Sequence, residues 1–225
     1  MKKIITPTAF AFVIAALILE PATVRADWPQ FRGPNRDGRS AESGLLQEWP
    51  EGGPQLAWQV SGLGGGYSSV SIQNGRIFTM GDIGADQFVI ALSRDKKTIE
   101  WKTRIGPSWA DDEYKGPRGT PTADGELIYA LGTEGDLLAL EAATGKVRWQ
   151  KSLPKDFGGQ MMSGWKWAES PLLDGDRLVV TPGVSGALMV SLDKATGKEI
   201  WRTKAGAMGP LGRDGAGYAS AQISN

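Results

Sequence analysis

Three observations predict an all-β chain folded as a β-propeller of four-stranded blades. The segment Ala139 to Trp149, Ala-Leu-Glu-Ala-Ala-Thr-Gly-Lys-Val-Arg-Trp, recurs as Ser191 to Trp201 and, in a worn form, as Ala91 to Trp101. The closing tryptophans stand 48 and 52 residues apart, a period that belongs to repeat architectures. Upstream of each tryptophan, 26, 24 and 26 residues from it, lies the glycine of an Asn-Gly or Asp-Gly pair between β-rich runs. That pair is the local chemistry of a two-residue hairpin, whose central positions need positive φ.

Taken from the start, residues 1–26 read as an export signal. Lys2 and Lys3 form a positive head, Ala9 to Leu19 is an apolar run, and Val24-Arg25-Ala26 precedes a cleavage point. The run is shorter than the ~20 residues that span a bilayer. A retained anchor is the alternative. Cleavage places the protein in the periplasm or outside the cell. Residues 27–53 follow as an extended arm, since Pro29, Pro34, Pro50, Gly33 and Gly38 forbid long regular structure. Trp28, Phe31 and Trp49 are costly to leave in water, at ~1.5–3 kcal/mol for a large apolar side chain, so the arm is expected to pack on the domain. Arg32 and Asn35 in a site are the functional alternative for this segment.

The repeat region runs over 54–225. Gln55 to Val60 is expected to be a strand closing a unit at Trp58. Blades follow over about 66–104, 119–152 and 169–204. Their first hairpins turn at Asn74-Gly75, Asp124-Gly125 and Asp174-Gly175. The third strands are Gln87 to Leu92, Leu137 to Leu140 and Ala187 to Leu192, and the fourth ends at the tryptophan. Thr144-Gly145 and Thr196-Gly197 make the intervening turn; blade one has Lys96-Lys97 there and is expected to turn differently. Residues 217–225 echo Gly66 to Asn74 and open a fourth blade. Rings close with about 4–8 blades, so the ring is expected to be incomplete and the chain to be the N-terminal part of a longer one. No ten-residue stretch of the mature chain has helical apolar spacing.

The two Thr-Gly copies resemble the tryptophan-docking motif of pyrroloquinoline-quinone (PQQ) repeat propellers. The opening Asp27-Trp-Pro-Gln-Phe-Arg-Gly-Pro-Asn-Arg-Asp-Gly38 is similar to the start of exported PQQ-like proteins of planctomycete-type bacteria. The resemblance implies that Gly145 and Gly197, with Trp149 and Trp201, hold neighbouring blades together; Trp101 matches by position only. It implies two functions. One, inferred from the missing catalytic residues, is a non-catalytic scaffold or binding platform, comparable to BamB-like members but without their lipidated Cys, and with no cofactor. The other is a quinoprotein dehydrogenase that oxidises alcohols or sugars with PQQ and calcium, its catalytic residues largely outside this sequence. No calcium ligand or base of such enzymes matches residue by residue.

The composition narrows the chemistry further. The sequence has neither Cys nor His, which removes thiol nucleophiles, disulfides, His-dependent triads and zinc or haem sites built on these residues. Lys and Arg balance Asp and Glu at 25 each, so there is no electrostatic case for nucleic acid. Strand alternation puts both kinds of tight turn at one end of the blades. Three long connections, Ile105 to Gly119, Ser152 to Glu169 and Lys204 to Gly217, lie at the other. Long loops on a rigid scaffold are where binding residues concentrate, so Trp109, Tyr114, Arg118, Trp165, Trp167 and Glu169 are candidates for contact with a protein partner or small ligand. The competing reading is that these aromatics plug the funnel. The run Gly62 to Gly66 has no following helix to present amides to a phosphate. Asp111-Asp112-Glu113 lacks the spacing of a calcium loop.

Overall fold

The computed structural model describes residues 27–109, 114–206 and 215–223. Residues 1–26, expected to be an export signal, the acidic run Asp111 to Glu113, and Arg213 and Asp214 lie outside the described residues. Blade one is β1 (Ser71–Gln73), β2 (Arg76–Ile83), β3 (Asp86–Ser93) and β4 (Thr98–Pro107). Blade two is β5 (Thr122–Asp124), β6 (Leu127–Leu131), β7 (Asp136–Glu141) and β8 (Val147–Ser152). After a short helix, α1 (Leu153–Phe157), blade three is β9 (Leu172–Asp174), β10 (Arg177–Val180), β11 (Val190–Asp193) and β12 (Glu199–Arg202). Each blade is an antiparallel sheet in sequence order, with the first strand innermost and the fourth at the rim.

The burial of each strand follows from its place in the stack. Blades pack face to face, so the middle strands lose both faces to neighbours and read as continuous apolar runs such as Leu137 to Leu140. The rim strand β4 keeps one wet face and alternates. One core lies between blades one and two, where Phe78, Met80, Val89 and Ile105 meet Ile128, Ala130, Leu138 and Leu140. A second lies between blades two and three, where Tyr129, Leu131 and Leu137 meet Leu178, Val180, Val190 and Leu192. Val60 and Leu63 pack on the far face of blade one, beside Ile77, Ile90 and Leu92.

At the rim, each tryptophan docks on the next blade. The Trp149 indole N–H donates to the Lys194 carbonyl at 2.9 Å, and a Cβ on Gly197 would lie 2.8 Å from the ring. Gly197 stands at φ 69, and its N–H donates to the Asp193 carbonyl, closing the turn. Asp193 also accepts from both the N–H and the hydroxyl of Thr196, which holds its carboxyl below the usual range. Trp101 makes the same contact one blade earlier, donating to the Ala142 carbonyl at 3.1 Å and covering Gly145. It therefore shares the motif's geometry as well as its position. Trp201 is 36% exposed, with no following blade among the described residues.

Several local expectations are corrected. The Ser93 to Thr98 turn of blade one is not different: Lys97 takes φ 57 at the place of Gly145, and its N–H returns to the Ser93 carbonyl. Lys97 is exposed, so its side chain has room that the docked glycines lack. Only the blade-one hairpin has both central residues, Asn74 and Gly75, at positive φ. In blades two and three the ladder extends through Asp124↔Leu127 and Asp174↔Arg177, so the two-residue loops are Gly125-Glu126 and Gly175-Asp176. Gln55 to Val60 forms no strand. The helix α1 was not expected; Ser152 caps it, its hydroxyl accepting from the Lys155 N–H, and Gly158 ends it at φ 69. The Gly62 to Gly66 run has a packing role: Gly64 lies against the Asp82 carbonyl, and Gly81 leaves no room for a side chain beside Leu63.

The arm is anchored at its beginning and not at its end. Trp28 exchanges two 2.8 Å backbone hydrogen bonds with Ile72, the Ala123 N–H donates to the Pro29 carbonyl at 2.7 Å, and Arg36 donates to the Leu173 carbonyl. Residues 28–36 thus stitch the innermost strands of all three blades. Gly33 is buried under the Trp28 ring at φ 83, where a side chain would clash at 2.7 Å. Phe31 and Trp49 do not serve as anchors, being 44% and 71% exposed.

A comparison of two glycine variants tests the docking contact. Gly175→Ala meets only the left-handed penalty of about 1–2 kcal/mol, because the space around Gly175 is open. Gly197→Ala meets that penalty and overpacks the Trp149 indole, adding roughly 1–3 kcal/mol. Urea unfolding of the two variants side by side is expected to show the larger loss for Gly197→Ala; equal losses would mean that the indole imposes no constraint.

Candidate functional site

The hub and the long connections share one end of the blades. At the hub, successive blades are joined by hydroxyl groups at the start of each inner strand. The Thr120 N–H donates to the Ser170 hydroxyl at 2.9 Å, and the Ser170 N–H donates to the Ser220 hydroxyl at 2.8 Å. Thr122 adds a hydroxyl bond of 2.6 Å to the Pro171 carbonyl. The inner strands therefore keep a fixed relation at both hub and rim, and the connections leave from defined positions.

On that frame, Arg118 gathers the aromatic residues of the first two connections. Its guanidinium donates to the carbonyls of Tyr114 at 2.6 Å and Trp165 at 3.1 Å. Its Cζ lies 4.4 Å from the Trp109 ring centroid and 5.8 Å from that of Trp165. Tyr114 stacks on Trp165 with centroids 5.3 Å apart, and Trp165 tilts against Tyr218 at 6.4 Å. The Tyr218 and Ser163 hydroxyls are hydrogen-bonded to each other. Tyr114, Trp165 and Tyr218 stay 39%, 51% and 42% exposed, although large rings are normally covered. The chemistry available to this cluster is recognition: flat apolar surface, cation–π contact and phenol hydrogen bonding.

The structure brings Trp109, Tyr114, Arg118 and Trp165 together and leaves two candidates out. Trp167 is 5% exposed; it sits in the core between blades two and three, against Gly135, with its backbone N–H donating to the Thr133 carbonyl at 3.1 Å. Glu169 is 3% exposed and accepts from the Thr181 N–H at 2.7 Å, capping the end of β10. The physical reason is register. Glu169 occupies, ahead of β9, the position that Ser68 occupies ahead of β1, and the Ser68 hydroxyl likewise accepts from the Met80 N–H. Tyr218 was missed, and the repeat itself carries the signal, since Gly217-Tyr218 copies Gly66-Tyr67. Asp82, at the mouth of the blade-one hairpin, accepts from the Gln87 side-chain amide and from the Trp109 backbone N–H. Burial pushes its carboxyl up, against the pull of those bonds.

Burial raises the Glu169 carboxyl from 4.5 to about 7, the Thr181 hydrogen bonds acting the other way. The folded chain then holds a proton that the unfolded chain releases above about pH 4.5, so stability falls as pH rises from there to about 7. The shift corresponds to about 3 kcal/mol. Glu169→Gln keeps an acceptor for Thr181 and cannot ionise. The stability of this variant relative to the parent is expected to climb by about that amount across the same window, measured as the difference in urea midpoints. A difference that stays flat with pH would refute a protonated Glu169.

Comparison with known proteins places the fold. A family profile described as outer membrane protein assembly factor BamB matches residues 85–221. Among solved structures, quinohemoprotein alcohol dehydrogenase from Comamonas testosteroni aligns with a TM-score of 0.56 at 19% identity, over 80% of this chain and 27% of its own. BamB from Moraxella catarrhalis aligns with a TM-score of 0.50 at 17% identity, over 71% of this chain and 44% of its own. A curated relative, the serine/threonine-protein kinase AfsK of Streptomyces griseus, is 26% identical over 167 residues, 72% of this chain. This chain spans 19% of that kinase's length. With the profile covering more than half of its residues, the chain belongs to the PQQ-like repeat β-propeller family that includes BamB.

Proposed function

We propose that this protein is a non-catalytic binding platform working outside the cytoplasm, and that its loop end takes a protein partner. The observation that carries the reading is the exposed ring cluster of Tyr114, Trp165 and Tyr218 around Arg118, held on a rigid frame. Trp, Tyr and Arg are enriched among the residues that carry most of the binding energy of protein interfaces. The family profile, described for an outer membrane protein assembly factor, supports a role in holding other proteins. The export-like N-terminus supports the location. No helix among the described residues is long and apolar enough to cross a membrane.

The dehydrogenase reading asks for a calcium donor set beside the quinone. Among the described residues no three of His, Cys, Asp and Glu come together. Glu169, just ahead of inner strand β9, is turned to Thr181. No described residue therefore favours the dehydrogenase reading, which the cofactor-addition assay below tests directly.

Site-specific photo-crosslinking in the producing cell tests the platform. A benzophenone side chain at Tyr218 is expected to give discrete protein adducts that Trp165→Ala reduces by about tenfold, the loss of one interface hot spot. The same probe at Lys198, in the tight turns of the opposite end, is expected to give none. Equal adducts from both ends would overturn the proposal. So would dye-linked alcohol oxidation by the purified protein after addition of PQQ and Ca²⁺.

A further inference from the structure

The arm gives the hub a floor, and above that floor lies a cleft of about 390 Å³. This is within the ~300–1,000 Å³ range of small-ligand sites. Phe31 and Arg32 line it from the arm; Ser170 lines it from just ahead of β9, Ser220 and Gln222 from the segment 215–223, and Arg118 and Tyr218 from the loop end. Its lining contains no carboxylate.

The groups that face this cleft are donors. Arg32 makes no side-chain hydrogen bond or ion pair among the described residues, and a tight turn fixes its place. Arg32 stands at φ 65, its carbonyl accepts from the Gly38 N–H at 2.9 Å, and the Gly33 N–H donates to the Gln30 carbonyl at 3.0 Å. The hydroxyls of Ser170 and Ser220 each accept a backbone N–H, from Thr120 and Ser170 respectively. A hydroxyl whose oxygen is so engaged retains its O–H for donation. A guanidinium and two O–H donors without an acid among them suit an oxyanion. The guanidinium fork matches the two oxygens of a carboxylate. Phe31, 44% exposed at the same wall, gives the apolar part of such a ligand a surface.

We propose that this arm-floored cleft binds a carboxylate borne next to an apolar group, from either a free organic acid or an acidic peptide. The proposal rests on the loop end being the binding face; the cleft borders the ring cluster at Arg118 and Tyr218, but its anion-binding groups lie on the arm and the hub. Arg32 supplies the charge, the serine hydroxyls orient the oxygens, and Phe31 takes the apolar neighbour.

Isothermal titration of the purified full chain tests this with three probes: benzoate, the uncharged isostere benzamide, and an acetylated, amidated Glu-Phe dipeptide. Saturable binding of benzoate or of the dipeptide is expected, with benzamide at least about tenfold weaker, since a charge-assisted hydrogen bond is lost. Arg32→Gln, which leaves the blade-stitching Arg36 in place, is expected to weaken binding by about tenfold or more with an unchanged melting curve. Tighter binding of benzoate than of the dipeptide identifies a free acid as the ligand, and the reverse order a peptide. Equal binding of benzoate and benzamide would overturn the proposal. So would an unaltered affinity in Arg32→Gln, or no binding of either acid. Carboxylate binding without crosslinks at Tyr218 would leave this site standing while the protein-docking reading falls.

Discussion

Each boundary between these blades turns on an indole seated over a left-handed glycine, its N–H given to a carbonyl of the same turn. The contact combines two demands that only a few residues satisfy. The glycine must hold φ near +70°, and it must also be bare, because the ring occupies the place of its Cβ. Two such contacts, Trp101 on Gly145 and Trp149 on Gly197, set the distance between rims. The apolar interior follows from that spacing. Phe78 lies 6.1 Å from Trp101, and Tyr129 lies 6.1 Å from Trp149, so each core begins where a docked indole ends. At the hub the same blades are tied by serine and threonine hydroxyls, which leaves little freedom between the two lines of attachment.

A frame constrained in this way explains why the loop end can keep aromatic rings in solvent. An exposed ring on a loose loop would collapse onto any apolar surface within reach. Here Arg118 holds the backbone of two connections by their carbonyls while its flat face meets the rings of Trp109 and Trp165. The rings are positioned by polar bonds to the backbone behind them, so their outer surfaces remain available. The opposite end has only short turns, in which acidic and hydroxyl side chains satisfy their own backbone, as Asp193 does for Thr196.

How much of this was legible depended on whether a feature repeats. Strand order, the four-strand blade and the docking residues recur about every 50 residues, and periodicity carries them without any tertiary knowledge. Features set by a single distant partner were not legible. Nothing local distinguishes Trp28, bonded to Ile72, from Trp49, left in water. Likewise Lys97 showed by composition a different turn, yet its backbone takes the glycine's conformation because no indole presses on it. The candidate site was half legible. Loop length pointed to the end where Trp109, Tyr114, Arg118 and Trp165 come together, but counting charges and aromatics in a loop cannot separate Trp165 from the buried Trp167. Register does better: comparison with Ser68 puts Glu169 just ahead of an inner strand, and comparison with Tyr67 exposes Tyr218.

The stitched arm has a consequence for the order in which the molecule is assembled. Residues 28–36 are made before any blade, yet Arg36 must wait for Leu173, 137 positions later, to find its carbonyl. Closing so long a loop has to follow, not lead, the formation of local hairpins, because its entropy cost comes before its reward. Blade formation can run sequentially from the front of the chain while the first segment stays unattached. Its docking is then the event that reports three blades in register. In kinetic terms the arm is a latch on a finished assembly, and its backbone amides are expected to be the last to gain protection.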